Sequence, residues 1–207
     1  MSKKPVIVFE GIEGSGKSYH IKSICNYLKR KNIKFLKLRE PGGSINSEKI
    51  RKLILNNNSN FNKNTDLLLY LAARSENLEL IKKNYKKKII LIDRFLDSTL
   101  AYQHYGFGID KSLIEHVNRY LLGNIKIDYT FLNIVNLKNM FSRLKERKKL
   151  NRYDKFNKKF YENVQKGFIK IINKKKKNSF CIINSNMDKN SNKKIVLNKI
   201  KKFIKWI

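Results

Sequence analysis

Short apolar runs alternate along the chain with longer stretches in which apolar residues recur every three or four positions. The runs predict five strands at residues 6–9, 35–38, 89–92, 129–135 and 180–183. The periodic stretches predict helices at residues 17–30, 45–55, 66–85, 98–105, 111–122, 137–147, 157–173 and 193–206. Because strands alternate with helices, we expect an α/β fold with a five-stranded parallel sheet flanked by helices. With neither a repeat nor a linker, residues 1–207 are predicted to form one domain.

A glycine-rich turn follows the first predicted strand. Residues 11–18 read GIEGSGKS and match the pattern G-x-x-x-x-G-K-[ST] without a mismatch. Glycines let the backbone curl so that successive N–H groups face one anion, and the next helix adds positive potential at its N-terminus. A glycine turn that only caps a helix is the alternative, which the strand–turn–helix context disfavours. The turn predicts an ATP site in a three-layer P-loop NTPase sandwich, formed by Gly11, Ile12, Glu13, Gly14, Ser15, Gly16, Lys17 and Ser18.

Within this turn, Lys17 is placed to contact the outer phosphates and Ser18 to ligate Mg²⁺. Asp93 directly follows the third predicted strand, at the carboxyl end where open α/β sheets bind ligands. We therefore predict that Ser18 and Asp93 hold Mg²⁺, although an Asp at this point can also cap a turn. Arg94 beside it suits a bidentate grip on phosphate, the alternative being a surface ion pair.

The composition limits the class of protein but does not indicate a function. A hydrophobic share of 41% suffices for a core, and two cysteines are too few for a disulfide framework. We expect Cys25 and Cys181 to be buried free thiols in a reducing compartment. The four apolar residues 6–9 are too short for a signal-peptide core, and no run approaches the ~20 apolar residues of a membrane span. The sequence thus predicts a cytoplasmic protein without a membrane partner.

The net charge is +31, from 47 Lys and Arg against 16 Asp and Glu. Such an excess is compatible with nucleic-acid binding, since basic side chains neutralise phosphates. It is equally compatible with a solvated, lysine-rich surface. We favour the second interpretation, because the lysines are scattered along the chain and accompany no nucleic-acid motif. Nucleic acid is therefore not expected as a partner, despite the charge.

Five ordered blocks resemble the bacterial thymidylate kinase family along nearly the whole chain. They are FEGIEG at residues 9–14, REPGG at 39–43, YLAAR at 70–74, DRFLDS at 93–98 and AYQ at 101–103. Phosphate turns occur in many families, whereas the blocks at 39–43 and 93–98 are far more specific. The resemblance implies ATP and dTMP as substrates, Mg²⁺ as cofactor and a homodimer.

The resemblance also implies roles for individual residues around the acceptor nucleotide. Arg39 and Arg94 resemble clamps on the dTMP phosphate, and Glu13 an acidic residue that faces the acceptor sugar or magnesium. Tyr70 matches an aromatic residue stacked on thymine, and Arg74 a donor to a base carbonyl. Three further positions complete the expected site: Tyr102 against the sugar, with Thr99 and Gln103 beside the base. Ser98 is expected among the substrate-binding residues. Independently, Tyr70 and Arg74 lie four positions apart, hence on one helical face.

A basic stretch at about residues 143–155 coincides with the family's lid. Because the phosphate turn contains no arginine, the resemblance implies that lid arginines neutralise the transferred group, and we nominate Arg147 and Arg152. A solvated basic loop is the alternative. The family's lid motif Asp-Arg-x-Glu is here Asn151-Arg152-Tyr153-Asp154, and residues 104–107 also depart from the family pattern.

We therefore predict an enzyme, a kinase that transfers a phosphoryl group from Mg·ATP to dTMP, in which Lys17 and Arg94 act with the lid arginines. A kinase for another nucleoside or nucleoside monophosphate is one alternative. A basic nucleic-acid-binding ATPase and a degraded kinase kept as a binding protein are the others.

Overall fold

Five parallel strands form one sheet in the computed structural model, which describes residues 3–204. The strands are β1 (Val6–Glu10), β2 (Phe35–Arg39), β3 (Ile89–Asp93), β4 (Tyr129–Ile134) and β5 (Phe180–Asn184). Their order in the sheet is β2-β3-β1-β4-β5, and every neighbouring pair is parallel. The predicted five-stranded parallel sheet is confirmed, with every predicted strand end within one residue of the observed one.

Within residues 3–204, eight α-helices connect the strands and cover the sheet. They are α1 (Lys17–Arg30), α2 (Ile45–Leu55), α3 (Lys63–Asn84), α4 (Leu96–Thr99), α5 (Lys111–Leu122), α6 (Leu137–Lys145), α7 (Lys158–Ile172) and α8 (Lys189–Ile204). A π-helix, Leu100–Gly106, continues α4, and two 3₁₀ turns lie at Arg152–Lys155 and Lys177–Ser179. No helix in the described part of the chain is long and apolar enough to cross a membrane.

Strand β1 shows how the two faces of the sheet are buried. Ile7 and Phe9 pack in one cluster with residues of α1 and α8. Val6 and Val8 point the other way and pack in a second cluster with residues of α3. Successive side chains of a strand alternate between faces, so a strand buried on both sides must be apolar throughout. The layers are therefore helix, sheet and helix, as predicted.

Three helix predictions are corrected. Helix α3 begins at Lys63 rather than at 66, and its N-cap is Asn62, whose side chain accepts hydrogen bonds from the backbone N–H groups of Asn64 and Thr65. The single helix predicted at 98–105 is α4 followed by the π-helix. The last helix begins at Lys189 rather than 193, and its predicted end at 206 lies outside the described residues, as do residues 1–2.

The two cysteines are free, but only one is buried. Cys25 on α1 is buried, whereas Cys181 on β5 is partly exposed. Strand β5 lies at the edge of the sheet, so its side chains receive less cover than those of the central strands. The expectation of two buried thiols is thus correct for Cys25 alone.

Candidate active site

The phosphate turn lies between β1 and α1, and its glycines adopt conformations that other residues avoid. Gly11, Gly14 and Gly16 have φ values of +135°, +65° and +82°. A Cβ atom on Gly11 would also lie 2.2 Å from the backbone oxygen of Asn133 on β4. A side chain at Gly11 would therefore be both strained and blocked by the neighbouring strand.

Lys17 is buried at the base of the turn. Its Nζ donates hydrogen bonds to the backbone oxygens of Gly11, at 2.8 Å, and of Ile12, at 2.9 Å. Burial, assisted by the nearby Arg94 charge, lowers the pKa of Lys17 to about 7. The ammonium group thus lies inside the turn, where a phosphate anion would raise that pKa again.

Ser18 and Asp93 meet because β1 and β3 are neighbours whose carboxyl ends share one edge of the sheet. Ser18 Oγ lies 3.4 Å from Asp93 Oδ2, and Asp93 Oδ1 is a buried oxygen without a hydrogen-bond partner. Hydroxyl and carboxylate oxygens suit Mg²⁺, so the two side chains fit the predicted metal ligands. Between residues 3 and 204 no cluster of three or more His, Cys, Asp or Glu side chains could hold a metal by itself.

A cleft of about 420 Å³ opens at this edge of the sheet. Its volume lies in the usual range for small-molecule sites. Most of the predicted site residues line it: Glu13, Gly14, Ser15, Gly16, Lys17, Ser18, Tyr70, Arg74, Asp93, Arg94, Ser98, Thr99, Tyr102, Gln103 and Arg147. Gly11, Ile12, Arg39 and Arg152 are not among the lining residues.

Arg94 connects the phosphate turn to the far side of the cleft. Its backbone is left-handed, with φ at +66°, which turns the side chain off the end of β3. Its Nη2 lies 2.8 Å from Glu13 Oε1, and its guanidinium carbon lies 5.2 Å from the centre of the Tyr102 ring. The Tyr102 hydroxyl in turn donates to the second oxygen of Glu13. Three of the predicted residues thus form one hydrogen-bonded unit.

Glu10, which the sequence did not single out, holds the segment that carries Arg94. It is buried, accepts a hydrogen bond from the Phe95 N–H at 2.9 Å, and accepts another from the Ser98 hydroxyl. Burial, together with the charge of Asp97, raises the pKa of Glu10 to about 7. In the sequence, Glu10 lies at the end of an apolar strand. Its charged carboxylate is the only feature that could have indicated a special role.

The other end of the cleft is rich in amide and aromatic groups. Arg74 is buried, and its guanidinium donates to Glu40 at 2.8 and 2.7 Å, to Asn118 at 2.5 Å and to Thr99 at 2.8 Å. Four of its five N–H groups are used, which leaves one for a ligand. Both polar atoms of the Gln103 side chain are buried without a partner. Such groups need partners, and a nucleobase edge supplies them.

Arg39 was predicted to line the site and does not, whereas Arg51, for which no role was predicted, does. Arg39 forms an ion pair with Glu48 at 2.9 Å, half exposed, and does not line the cleft. Arg51 on α2 lines it and donates to the backbone oxygen of Pro41 at 2.6 Å. The helical spacing on α2 could have indicated this position for Arg51. Arg51 lies four residues after the buried Ser47 and so shares its face of the helix. Arg51 therefore joins Arg94 among the arginines that line the cleft.

The two lid arginines also differ. Arg147 lines the cleft and forms an ion pair with Asp154 at 2.7 Å. Arg152 lies outside the lining and pairs with Asp66, at the start of α3, at 2.5 Å. Residues 151–154, which depart from the family's lid motif, form a small turn in which Asn151 and Asp154 cap each other.

Comparison with known proteins agrees with this geometry. The family model described as Thymidylate kinase matches residues 9–196. The chain belongs to the thymidylate kinase family. A thymidylate kinase of Thermosipho africanus is 40% identical over 179 residues, which cover 86% of this chain and 88% of the relative. One of Wolbachia pipientis wMel is 38% identical over 170 residues, which cover 80% and 83%.

A solved structure shares the fold. The crystal structure of thymidylate kinase from Ehrlichia chaffeensis superposes with a TM-score of 0.75 at 30% identity, and the match covers 97% of this chain and 99% of that one. The five-stranded parallel sheet with flanking helices is thus the P-loop NTPase fold of thymidylate kinases. The cleft has the phosphate turn at one end and polar side chains that suit the edge of a nucleobase at the other, as an enzyme of this family requires.

Proposed function

We propose that this enzyme phosphorylates dTMP to dTDP with ATP as the phosphoryl donor, in the synthesis of dTTP. The observation that carries the proposal is that Lys17 of the phosphate turn and Arg94 line one cleft, and that Glu13 of the same turn forms an ion pair with Arg94. The turn holds the ATP phosphates, while Arg94 and Arg51 hold the phosphate of dTMP. Donor and acceptor phosphates would thereby meet in this cleft.

The chemistry needs positioning and charge neutralisation rather than an enzyme nucleophile. A dTMP phosphate oxygen attacks the terminal phosphorus of ATP, and the bond from that phosphorus to the bridging oxygen breaks as ADP leaves. Lys17 transfers its hydrogen bonds from the backbone oxygens of Gly11 and Ile12 to the phosphates. Arg147, one of the lid arginines that line the cleft, adds positive charge to the transferred group.

Magnesium belongs to this proposal. Ser18 and Asp93 would hold Mg²⁺, as their 3.4 Å separation and the unpartnered Asp93 oxygen suggest. Bound there, the ion would neutralise charge on the ATP phosphates.

Thymine is proposed to lie against Gln103, Arg74 and Tyr70. Gln103 offers a donor and an acceptor without partners, and Arg74 offers its one remaining N–H. We propose that Tyr102 crowds a ribose 2′-hydroxyl, which would favour the deoxy sugar. Ser98 and Thr99 support the site indirectly, because their hydroxyls bind Glu10 and Arg74.

A coupled ADP-release assay with Mg·ATP tests the proposal against dTMP, dUMP, dCMP, dAMP, dGMP and thymidine. We expect a strong preference for dTMP. Turnover with another acceptor alone would refute the base site and leave a kinase. ATP hydrolysis that DNA stimulates, without dependence on an acceptor, would refute the whole assignment.

We also propose a homodimer. Large apolar side chains are exposed on three adjoining helices, namely Ile45 on α2 at 83%, Leu68 on α3 at 65% and Tyr120 on α5 at 82%. Exposed apolar groups on neighbouring elements are typical of an interface. Sedimentation velocity should give a dimer for the native chain and a monomer for Leu68→Lys. A native monomer would contradict the proposal.

We further propose that the chain forms a single domain, with a lid at about residues 143–155, and acts in the cytoplasm. The phosphate turn, α3 and the lid turn all contribute to one cleft, which favours a single unit. The two free cysteines suit a reducing compartment. Limited proteolysis tests the first point, since one domain should be cut inside the lid and ATP should protect it.

A further inference from the structure

The phosphate turn has an outer side, where the carbonyl groups of Gly14 and Ser15 face α6 and the residue that follows β5. Ser185 directly follows β5 and is buried, with 7% of its surface exposed. Its Oγ donates to the backbone oxygen of Ser15 at 2.7 Å. Arg143 on α6 donates through Nη1 to the backbone oxygen of Gly14, at 2.8 Å, and through Nη2 to that of Ser185, at 2.7 Å. Two consecutive carbonyls of the turn are thus held from outside.

Peptide planarity converts this hold into an orientation of donors. In a trans peptide the C=O of one residue and the N–H of the next point in opposite directions and cannot turn independently. Fixing the Ser15 carbonyl outward therefore directs the Gly16 N–H inward, and fixing the Gly14 carbonyl does the same for the Ser15 N–H. Gly16 is the residue for which a swinging peptide is easiest, since its φ of +82° shows the freedom of glycine.

Ser185 is itself fixed by the sheet. Its N–H donates to the backbone oxygen of Ile134, the last residue of β4, at 2.8 Å. The Asn133 amide lies 3.4 Å from its hydroxyl oxygen. Ser185 is therefore anchored to β4, the strand that lies between β1 and β5, rather than to a mobile loop.

We propose that Ser185 is a positioning residue for ATP, which acts by fixing the inward orientation of the Gly16 N–H through the Ser15 carbonyl. The proposal rests on the ATP site proposed above. It makes no use of the dTMP side of the cleft. Its ligand chemistry is polyphosphate, so the nucleoside part of ATP should be irrelevant to it.

The test replaces Ser185 and measures binding by titration calorimetry. Ser185→Ala should weaken binding of Mg·ATP about tenfold, the equivalent of about 1.4 kcal/mol for one buried hydrogen bond. Inorganic tripolyphosphate should lose the same factor, and binding of dTMP should stay within twofold. Ser185→Thr, which keeps the hydroxyl, should restore both polyphosphate affinities.

The matched control is Ser179→Ala. The Ser179 hydroxyl also donates to a backbone oxygen at 2.7 Å, that of Lys176, but at the opposite end of β5. This variant should bind ATP normally. In steady-state kinetics, Ser185→Ala should raise the KM for ATP and leave the KM for dTMP unchanged.

Four outcomes would overturn the proposal. A loss for ATP but not for tripolyphosphate would mean that the hydroxyl serves the nucleoside. Equal losses for ATP and dTMP, or a fall in melting temperature alone, would mean a general structural role. Unchanged ATP affinity would remove any role in binding. Because ATP binding is measured without dTMP, failure to phosphorylate dTMP would refute the proposed function and leave this result standing.

Discussion

Two arginines, Arg51 and Arg39, offer the sharpest test of how the acceptor phosphate is held. Arg51 lines the cleft, where burial and the nearby Arg39 charge lower its pKa, whereas Arg39 pairs with Glu48 at the surface. Both are arginines of the same region of the chain. Replacement by methionine removes the charge and keeps most of the side-chain bulk. The pair of variants Arg51→Met and Arg39→Met therefore separates the two positions.

The expected magnitudes differ widely. Loss of one partner of a buried, hydrogen-bonded charge pair costs about 2–4 kcal/mol, which corresponds to about 30- to 700-fold in kcat/KM for dTMP. The Arg39–Glu48 pair has side chains that are 50% and 37% exposed. Pairs of this kind contribute about 0–1 kcal/mol, so Arg39→Met should change kcat/KM less than about fivefold.

The ADP-release assay measures both variants, with dTMP varied at saturating ATP and then the reverse. We expect Arg51→Met to raise the KM for dTMP and leave the KM for ATP near its original value. Melting temperatures serve as the control for folding. An Arg39→Met loss as large as that of Arg51→Met would refute the reasoning, because it would mean that Arg39 reaches the acceptor phosphate during turnover.

Three further predictions concern the rest of the cleft. Lys17→Ala should lower kcat by about 100- to 1,000-fold in the same assay, and near-normal activity would exclude the proposed mechanism. Arg147→Met should lower kcat with little change in stability. Arg152→Met should instead lower the unfolding free energy, measured in urea titrations, by about 3 kcal/mol, since it leaves Asp66 buried and unpaired. The reverse pattern would make Arg152 the catalytic lid residue. The pKa of Glu10 is about 7 in the folded protein, against an ordinary value of 4.5. Between these two pH values the folded state therefore binds more protons than the unfolded state. The unfolding free energy should consequently fall by up to about 3 kcal/mol as the pH rises through this window. Glu10→Gln should flatten that decline, and an unchanged slope would show that another group titrates.

Much of the architecture could be predicted because the relevant signals are local. An apolar run such as 89–92 specifies a buried strand, and the turn at 11–18 specifies both a bend and a ligand. Helix ends were less certain where several capping residues follow one another. Asn62, Asn64 and Thr65 can all cap a helix, and only the backbone geometry selects Asn62.

The positions of long side chains could not be predicted in the same way. Arg39 follows a strand at the correct edge of the sheet, but Glu48 on α2 lies close enough to hold it outside the cleft. Arg152 is held in the same way by Asp66, which lies 86 residues earlier in the chain. Each ion pair joins two different elements, at a sequence separation of nine residues for Arg39 and 86 for Arg152, and neither spacing nor periodicity records them. The buried Glu10 belongs to the same class, because its partners come from another strand end.

The π-helix at Leu100–Gly106 makes the geometry of the substrate pocket depend on the number of residues in this segment. Its bonds run from a residue to the fifth before it, as in the hydrogen bond from Phe107 N–H to the Tyr102 oxygen at 2.9 Å. Such a segment holds one residue more than an α-helix of the same span. A single-residue deletion here would rewind the segment into an α-helix and rotate Tyr102 and Gln103 away from their present directions. Insertions and deletions in this stretch should therefore alter which nucleotide is accepted before they alter the fold.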